Sequence, residues 1–126
     1  MLEFNFEGLM VYQNALGFAN EVFTVTGKFP FKFQNSLGDQ MRRAALSIVN
    51  NIAEGCDQPT KSEKRRFYRY SLNSSRECVP MISISKLQRL IDEDLWGRWR
   101  KEALQIAMMM KGLVESVERN GVGGKA

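Results

Sequence analysis

The sequence predicts an all-α protein, an up-down-up-down antiparallel four-helix bundle, and three observations support this fold class. Four segments repeat apolar residues at the spacing of an amphipathic helix, and no segment alternates as a strand would. The 126 residues suffice for one domain with a single core. The loops between the segments are short, which makes consecutive helices antiparallel neighbours. We expect the bundle to span residues 1–120 and a flexible tail to span residues 121–126.

The first predicted helix runs from about Phe6 to Thr26. Gly27 ends it, and Pro30 prevents it from resuming. Its predicted buried face consists of Leu9, Tyr12, Leu16, Ala19 and Phe23. An aromatic link follows, and we expect its rings to fold back onto the end of the bundle; they are Phe29, Phe31 and Phe33.

The second predicted helix begins near Ser36, whose hydroxyl can cap it, and ends at Gly55. Its predicted core stripe consists of Leu37, Met41, Ala44, Ala45, Ile48, Val49 and Ile52.

The third predicted helix begins at a capping box in which Thr60 and Glu63 each satisfy an exposed backbone donor. It extends to about Leu90 and contains Pro80, which either kinks the helix or divides it in two. The good helix formers that follow the proline favour a kink.

The fourth predicted helix begins at the acidic run 92–94 and ends at Asn120. Its core positions follow a heptad pattern, the period of left-handed bundle packing. They are Trp96, Trp99, Ala103, Ile106, Met110, Leu113 and Val117. The run of Met108 and Met109 leaves some apolar surface for a partner, and packing explains these residues better than a ligand groove does.

The composition argues against several classes of function. The chain has no histidine, so it lacks the commonest general base and metal ligand. We therefore predict no catalytic residues, no metal site and no cofactor. Cys56 and Cys78 lie far apart without a CxxC pattern, which favours free thiols in a reducing cytoplasm, with a disulfide as the alternative. No apolar run approaches the length of a membrane span, so we expect no membrane partner.

Positive charge is concentrated in one part of the chain. Residues 42–76 hold eight Lys or Arg against three Asp or Glu, within a chain of net charge +4. Such a concentration is typical of proteins that bind polyanions, and the alternative is a solvated helix face. Cations near a helix N-terminus oppose the helix dipole, so their accumulation there indicates a function. The predicted nucleic-acid-binding residues, which include one tyrosine able to stack on bases, are Arg42, Lys61, Lys64, Arg65, Arg66, Tyr68, Arg69 and Arg76.

A polar stripe with helical spacing runs along the second helix. Asparagine and serine are poor choices inside a helix unless their side chains have partners, which favours an interface over a solvated face. A catalytic pocket is disfavoured because Glu54 has no second carboxylate, histidine or metal beside it. The residues predicted to form an oligomer interface or a polar network are Arg43, Ser47, Asn51, Glu54 and Glu77.

Several motifs match a known family. Residues 6–15 read FEGLMVYQNA, Phe29-Pro30 forms an F-P link, and residues 40–55 read QMRRAALSIVNNIAEG. These segments resemble the F-x-D-L-x-V-W-Q-x-A and Q-L-R-R-A-A-x-S-I-P-x-N-I-A-E-G patterns of the four-helix bundle proteins encoded by intervening sequences within bacterial 23S ribosomal RNA genes. The resemblance covers about residues 4–118. The departures are Gly8 for an acid, Tyr12 for tryptophan and Val49 for proline.

The resemblance implies a cytoplasmic, non-catalytic bundle that forms a homopentameric ring, with nucleic acid as its suspected ligand. Relatives include accessory subunits of diversity-generating retroelements, which bind a reverse transcriptase and its RNA. Two hypotheses follow. In the first, the oligomer binds RNA or DNA through phosphates with weak sequence specificity; in the second, it is a protein-interaction adaptor for a reverse transcriptase.

Overall fold

Four long helices make up most of the part of the chain that the structure describes, as the sequence predicts. The computed structural model describes residues 2–122, with side chains through Arg119, and this range contains no strand. The helices are α1 (Met10–Thr26), α2 (Asp39–Cys56), α3 (Lys61–Leu87) and α4 (Glu93–Val122). A 3₁₀ turn over Asn5–Gly8 precedes α1, and the short helical segments Phe31–Phe33 and Gln34–Gly38 precede α2. The helix α4 continues two residues past its predicted end, and residues 123–126 of the predicted tail lie outside the described range.

Contacts between helix ends show that the neighbouring helices are antiparallel. The end of α1 contacts the start of α2, the start of α2 contacts the end of α3, and the start of α3 contacts the end of α4. The side-chain pairs that make these contacts are Thr26–Arg42, Met41–Ser85 and Arg69–Glu118. Because α1 also packs against α4, the four helices close into a bundle with up-down-up-down topology.

The buried face of α1 differs from the predicted one. The residues that enter the core are Val11, Ala15, Phe18, Ala19 and Val22. Leu16 and Phe23, which the sequence pattern places in the core, are 45% and 44% exposed. The helix contains a single charged residue, Glu21, so apolar side chains occur on most of its sides and two stripes compete. The ring of Trp99 packs edge-on against Phe18, with centroids 6.1 Å apart, on the stripe that is buried.

The predicted core stripes of α2 and α4 are confirmed. Of the seven positions in the predicted stripe of the second helix, six are buried, and Leu37, which lies in the segment before α2, is half-buried against the core. In α4 the central positions are buried and the outer ones, such as Trp96 and Val117, pack partly buried against the core. The aromatic link agrees less well: Phe29 and Phe33 pack onto the bundle, whereas Phe31 is 86% exposed.

Serine dominates the buried face of α3. The four buried serines are Ser71, Ser74, Ser75 and Ser85. Three of them donate to carbonyl oxygens, those of Ile48, Leu72 and Met81, at 2.6–2.9 Å. Every buried polar side-chain atom in the described range has a hydrogen-bond partner. The small side chains therefore let α3 pack against both α2 and α4 without leaving an unsatisfied hydroxyl. Pro80 lies within one continuous helix and does not divide α3.

The helix α3 ends three residues earlier than predicted, at Leu87. Arg89 takes a left-handed conformation with φ of 60°, a position where glycine is usual. The Arg89 N–H donates to the carbonyl of Lys86, and the Leu90 N–H donates to that of Ser85. This pair of hydrogen bonds satisfies the last carbonyls of the helix and turns the chain towards α4.

A polar cluster joins α1 to α4 near the edge of the core. Both terminal guanidinium nitrogens of Arg98 donate to the carboxylate of Glu21, at 2.6 and 2.7 Å. The indole N–H of the fully buried Trp99 donates to the same carboxylate at 2.9 Å. The hydrogen bond from Arg98 is the largest cause of the lowered pKa of Glu21, which burial opposes and the Trp99 hydrogen bond reinforces.

Replacing Glu21 is expected to destabilise the fold. Glu21→Ala strands the buried Trp99 N–H, and we expect it to lower the free energy of unfolding by about 1–3 kcal/mol. Glu21→Gln keeps an acceptor for Trp99 and is expected to cost less. Because the folded pKa lies below its ordinary value of 4.5, the charge stabilises the fold above that pH and the contribution is lost as the pH falls through the folded pKa. Urea unfolding at several pH values measures this, and the same acid dependence in wild type and Glu21→Gln would contradict it.

Candidate nucleic-acid interface

Three cations line one open groove between α3 and α4. Arg69 and Arg76 come from α3, and Lys111 comes from α4. Arg65 lies one turn before Arg69, within about 40° of it around the helix. The structure therefore brings three of the predicted residues, Arg65, Arg69 and Arg76, onto one side of α3. Sequence reasoning missed Lys111, although antiparallel pairing of α3 with α4 could have located it.

The groove also contains apolar and acidic side chains. Leu104 and Met108 of α4 line it and are 54% and 65% exposed. Two acids, Glu115 and Glu118, line it as well. Arg69 donates to Glu118 at 3.2 Å, with about half of each side chain in solvent, so this ion pair contributes little to stability. The groove thus combines charges of both signs, three cations and two acids, with the exposed apolar side chains of Leu104 and Met108, which we call its apolar floor.

A second exposed cluster lies beside this row of cations. The guanidinium of Arg66 lies 5.0 Å from the ring centroid of Phe67 and 5.9 Å from that of Tyr70. The two rings meet edge-on, with centroids 5.8 Å apart and planes at 88°. Arg66 also donates to Glu63 at 2.7 Å, and Tyr70 is 45% exposed. Tyr70 is therefore an aromatic ring of α3 that solvent can reach.

For Tyr68, in contrast, the predicted role in nucleic-acid binding is wrong. Its ring is 5% exposed, and its hydroxyl lies 3.3 Å from the sulfur of Cys56. Burial is the main cause of its raised pKa. The ring packs against Gly55 at the end of α2, so it cannot stack on a base without unfolding that corner of the bundle.

Arg42 and Lys64, also predicted to bind nucleic acid, act instead within the fold. Arg42 is half-buried and donates to the hydroxyl of Thr26 at 2.9 Å and the carbonyl of Gln34 at 2.8 Å. Lys64 donates to the carbonyl of Cys56 at 2.7 Å, at the C-terminus of α2. A positive charge at the C-terminus of a helix interacts favourably with the helix dipole, so the position of Lys64 is explained without a ligand. Lys61, the first residue of α3, is half-buried at the same end of the bundle.

Two members of the predicted polar stripe form a network within the protomer. The side-chain amide of Asn51 donates to the hydroxyl of Ser47 at 3.0 Å and to its carbonyl at 2.8 Å. The Ser47 hydroxyl in turn lies 2.9 Å from that of Ser74. This network links α2 to α3 and satisfies the polar groups at their contact.

The charged members of the stripe lie outside this network. Arg43 is exposed and pairs with Asp39 at 2.8 Å, while the exposed Glu54 accepts a hydrogen bond from Gln58 at 3.4 Å. A network joining Arg43 to Glu54 within one protomer is therefore wrong, and a place for these residues at an oligomer interface stays a prediction. Arg43 and Glu77 nevertheless line a shallow groove together with Ser47 and Ser74, which leaves opposite charges on one face.

Residues 2–122 offer little support for other kinds of site. No group of three potential metal ligands converges there, and no helix has both the length and the apolar content required to cross a bilayer. Both cysteines are free; Cys56 is half-buried and Cys78 is buried, which raises the pKa of its thiol to about 12.

Comparison with known proteins gives a family and a fold. The family model described as 23S rRNA-intervening sequence protein matches residues 7–112. No curated protein matches the chain. The crystal structure of a protein of unknown function from the S23 ribosomal protein family of Bacteroides thetaiotaomicron superposes with a TM-score of 0.73 at 15% identity. The match covers 83% of this chain and 95% of that one, and at this identity it supports the fold alone.

The packing of Tyr68 on Gly55 predicts a sharp effect of one methyl group. A Cβ at position 55 would lie 2.6 Å from two ring carbons of Tyr68, so we expect Gly55→Ala to destabilise by about 1–3 kcal/mol. Gly17, exposed within α1, has nothing within 4 Å of an added Cβ. Gly17→Ala is therefore the matched control, expected to stabilise by about 0.5–1 kcal/mol. Thermal or urea unfolding measures both, and a neutral Gly55→Ala would show that the ring is not held against α2.

Proposed function

The chain belongs to the 23S rRNA-intervening sequence protein family, and we propose that it is a non-enzymatic, homo-oligomeric bundle that binds nucleic acid, probed first as RNA, through the outer surface of α3. The observation that carries this proposal is the row of cations along the α3–α4 groove. Arg69, Arg76 and Lys111 line the groove, and Arg65 extends the row by one turn.

The chemistry of this row suits phosphates. Arginine offers planar, bidentate donors that match phosphate oxygens. From Arg65 to Arg76 the helix rises about 16 Å, which is long enough to face several phosphates of a strand. The chain carries no motif that reads base edges, so recognition is electrostatic and weakly sequence-specific. The exposed pair of Arg69 with Glu118 contributes little, so exchanging the carboxylate for a phosphate costs little.

Self-association is the second part of the proposal. Arg43 and Glu77 lie beside one groove of the α2–α3 face. These opposite charges would allow Arg43 of one copy to pair with Glu77 of the next. On α1, Leu16 and Phe23 are partly exposed on a helix whose single charge, Glu21, is held by Arg98. The family resemblance implies five copies in a ring. A closed ring would repeat the row of cations and strengthen weak binding through multivalency.

An adaptor function is the second candidate, favoured by the apolar floor of the groove. Leu104 and Met108 are large, exposed and adjacent to cations. A protein partner, such as a reverse transcriptase, would bury these side chains, and the cations would then contact nucleic acid only within the larger complex.

The nucleic-acid proposal is tested by charge reversal at the groove. Arg76→Glu with Lys111→Glu should weaken binding to RNA at low salt. It should also reduce the steepness of the slope of log affinity against log salt concentration, by about 0.7–0.9 for each phosphate that the protein no longer neutralises. The matched control is Lys28→Glu with Lys32→Glu, which makes the same change in net charge on exposed residues of the α1–α2 link.

The two variants separate a site from a general effect of charge. Equal losses of affinity in both would show that only net charge matters. No binding of wild type to single strands, structured RNA or duplex at low salt would overturn the nucleic-acid proposal and leave the adaptor function.

The oligomer is tested by native mass spectrometry or sedimentation, where we expect a closed ring of five. If Arg43 of one copy meets Glu77 of the next, Arg43→Glu and Glu77→Arg should each weaken the ring, and the double swap should restore it. A monomer that persists at concentrations of roughly tens of micromolar would contradict self-association.

A further inference from the structure

Beside the row of cations, α3 exposes the aromatic ring of Tyr70, which lies where the bases of a bound strand could reach it. At 3.6 residues per turn, Arg66 lies about 60° around the helix from Arg69, and Tyr70 lies about 100° from it. Arg76, which lines the groove with α4, lies on the other side of Arg69, and the helical periodicity places Arg65 on that side as well. A strand whose phosphates follow the row of cations would therefore have Tyr70 to one side, within reach of bases that turn away from α4.

The local chemistry of this cluster suits a nucleobase. Tyr70 is 45% exposed, so solvent and a ligand can reach part of this residue. Its neighbour Arg66 already lies over both aromatic rings, at 5.0 and 5.9 Å, and a guanidinium plane stacks on bases as it does on rings. Phe67 meets Tyr70 edge-on and supports it from the half-buried side. The acids on this side, Glu63 and Glu77, lie about two turns from Tyr70 along the helix in either direction.

We propose that Tyr70, with Arg66, stacks on an unpaired base, so that the protein selects single-stranded over duplex nucleic acid. This inference rests on the proposed function, since it assigns the class of nucleic acid to the same surface. In a duplex the bases are already stacked on one another and cannot reach a side chain at the helix surface, whereas a single strand leaves each π-face free.

The first test needs wild-type protein alone. Its affinity is measured for an oligouridine, for an abasic strand of equal length, and for a blunt RNA duplex with the same number of phosphates. The abasic strand keeps the phosphates and removes the rings. We expect the oligouridine to bind about 5- to 150-fold more tightly than the abasic strand, the range that one stacked base contributes. Equal affinity for these two strands would overturn the inference while leaving phosphate binding intact.

The second test assigns the effect to the ring. Tyr70→Leu should abolish the preference for oligouridine over the abasic strand, and Tyr70→Phe should keep it. Phe31→Leu is the matched control, because this ring in the α1–α2 link is 86% exposed and far along the chain from the row of cations. A preference that survives Tyr70→Leu overturns the inference.

Two further outcomes are separable. If Tyr70→Leu changes the sedimentation behaviour and affects all three ligands alike, Tyr70 belongs to a contact between copies, and the inference falls. If wild type binds none of the three ligands at low salt, the proposed function and this inference fall together.

Discussion

The arrangement of this bundle depends on the small, polar buried face of α3. This helix packs against both α2 and α4, and the residues that it buries include four serines and only a few apolar side chains. Small side chains allow close approach of the helix backbones, and each buried hydroxyl finds an oxygen or sulfur partner nearby. Gly55 extends the same constraint to the end of α2, where the absent Cβ makes room for the ring of Tyr68. Close packing on one side of α3 leaves its other side free of any role in the core.

The cations considered for nucleic-acid binding, which lie on α2, α3 and α4, divide into two groups. Some already have a role within the fold: Lys64 caps the C-terminus of α2, and Arg42 ties the α1–α2 link to the helix ends. Because these hydrogen bonds already account for part of the positive charge, the accumulation of cations at the start of α3 is weaker evidence for a ligand. Arg76 and Lys111 remain, on two different helices and facing one groove. Their convergence, rather than the total charge, is what a binding site requires.

How much of the fold the sequence reveals depends on contrast between the faces of each helix. In α2 and α4 apolar stripes alternate with charged residues, and the core positions follow directly. In α1 apolar residues surround a single acid, so the pattern permits two stripes, and only the position of α4 decides between them. In α3 serines resemble surface residues until their carbonyl partners on neighbouring turns are known. The same limit explains the tyrosines: Tyr68 and Tyr70 lie about 200° apart on the helix, so at most one faces solvent, and choosing it requires the buried face of α3.

Family membership narrows the question of function without answering it. The structural relative shares 15% identity, which supports a common bundle and says nothing of the side chains on α3. The groove itself sets the remaining condition, because its cations and its apolar floor are parts of one surface. A phosphate backbone that met only Arg76 and Lys111 would leave Leu104 and Met108 in water. An occupant that covers the whole groove must therefore present negative charge and an apolar face together, as an acidic amphipathic helix does, whereas a strand whose bases turn to Tyr70 covers the cations alone.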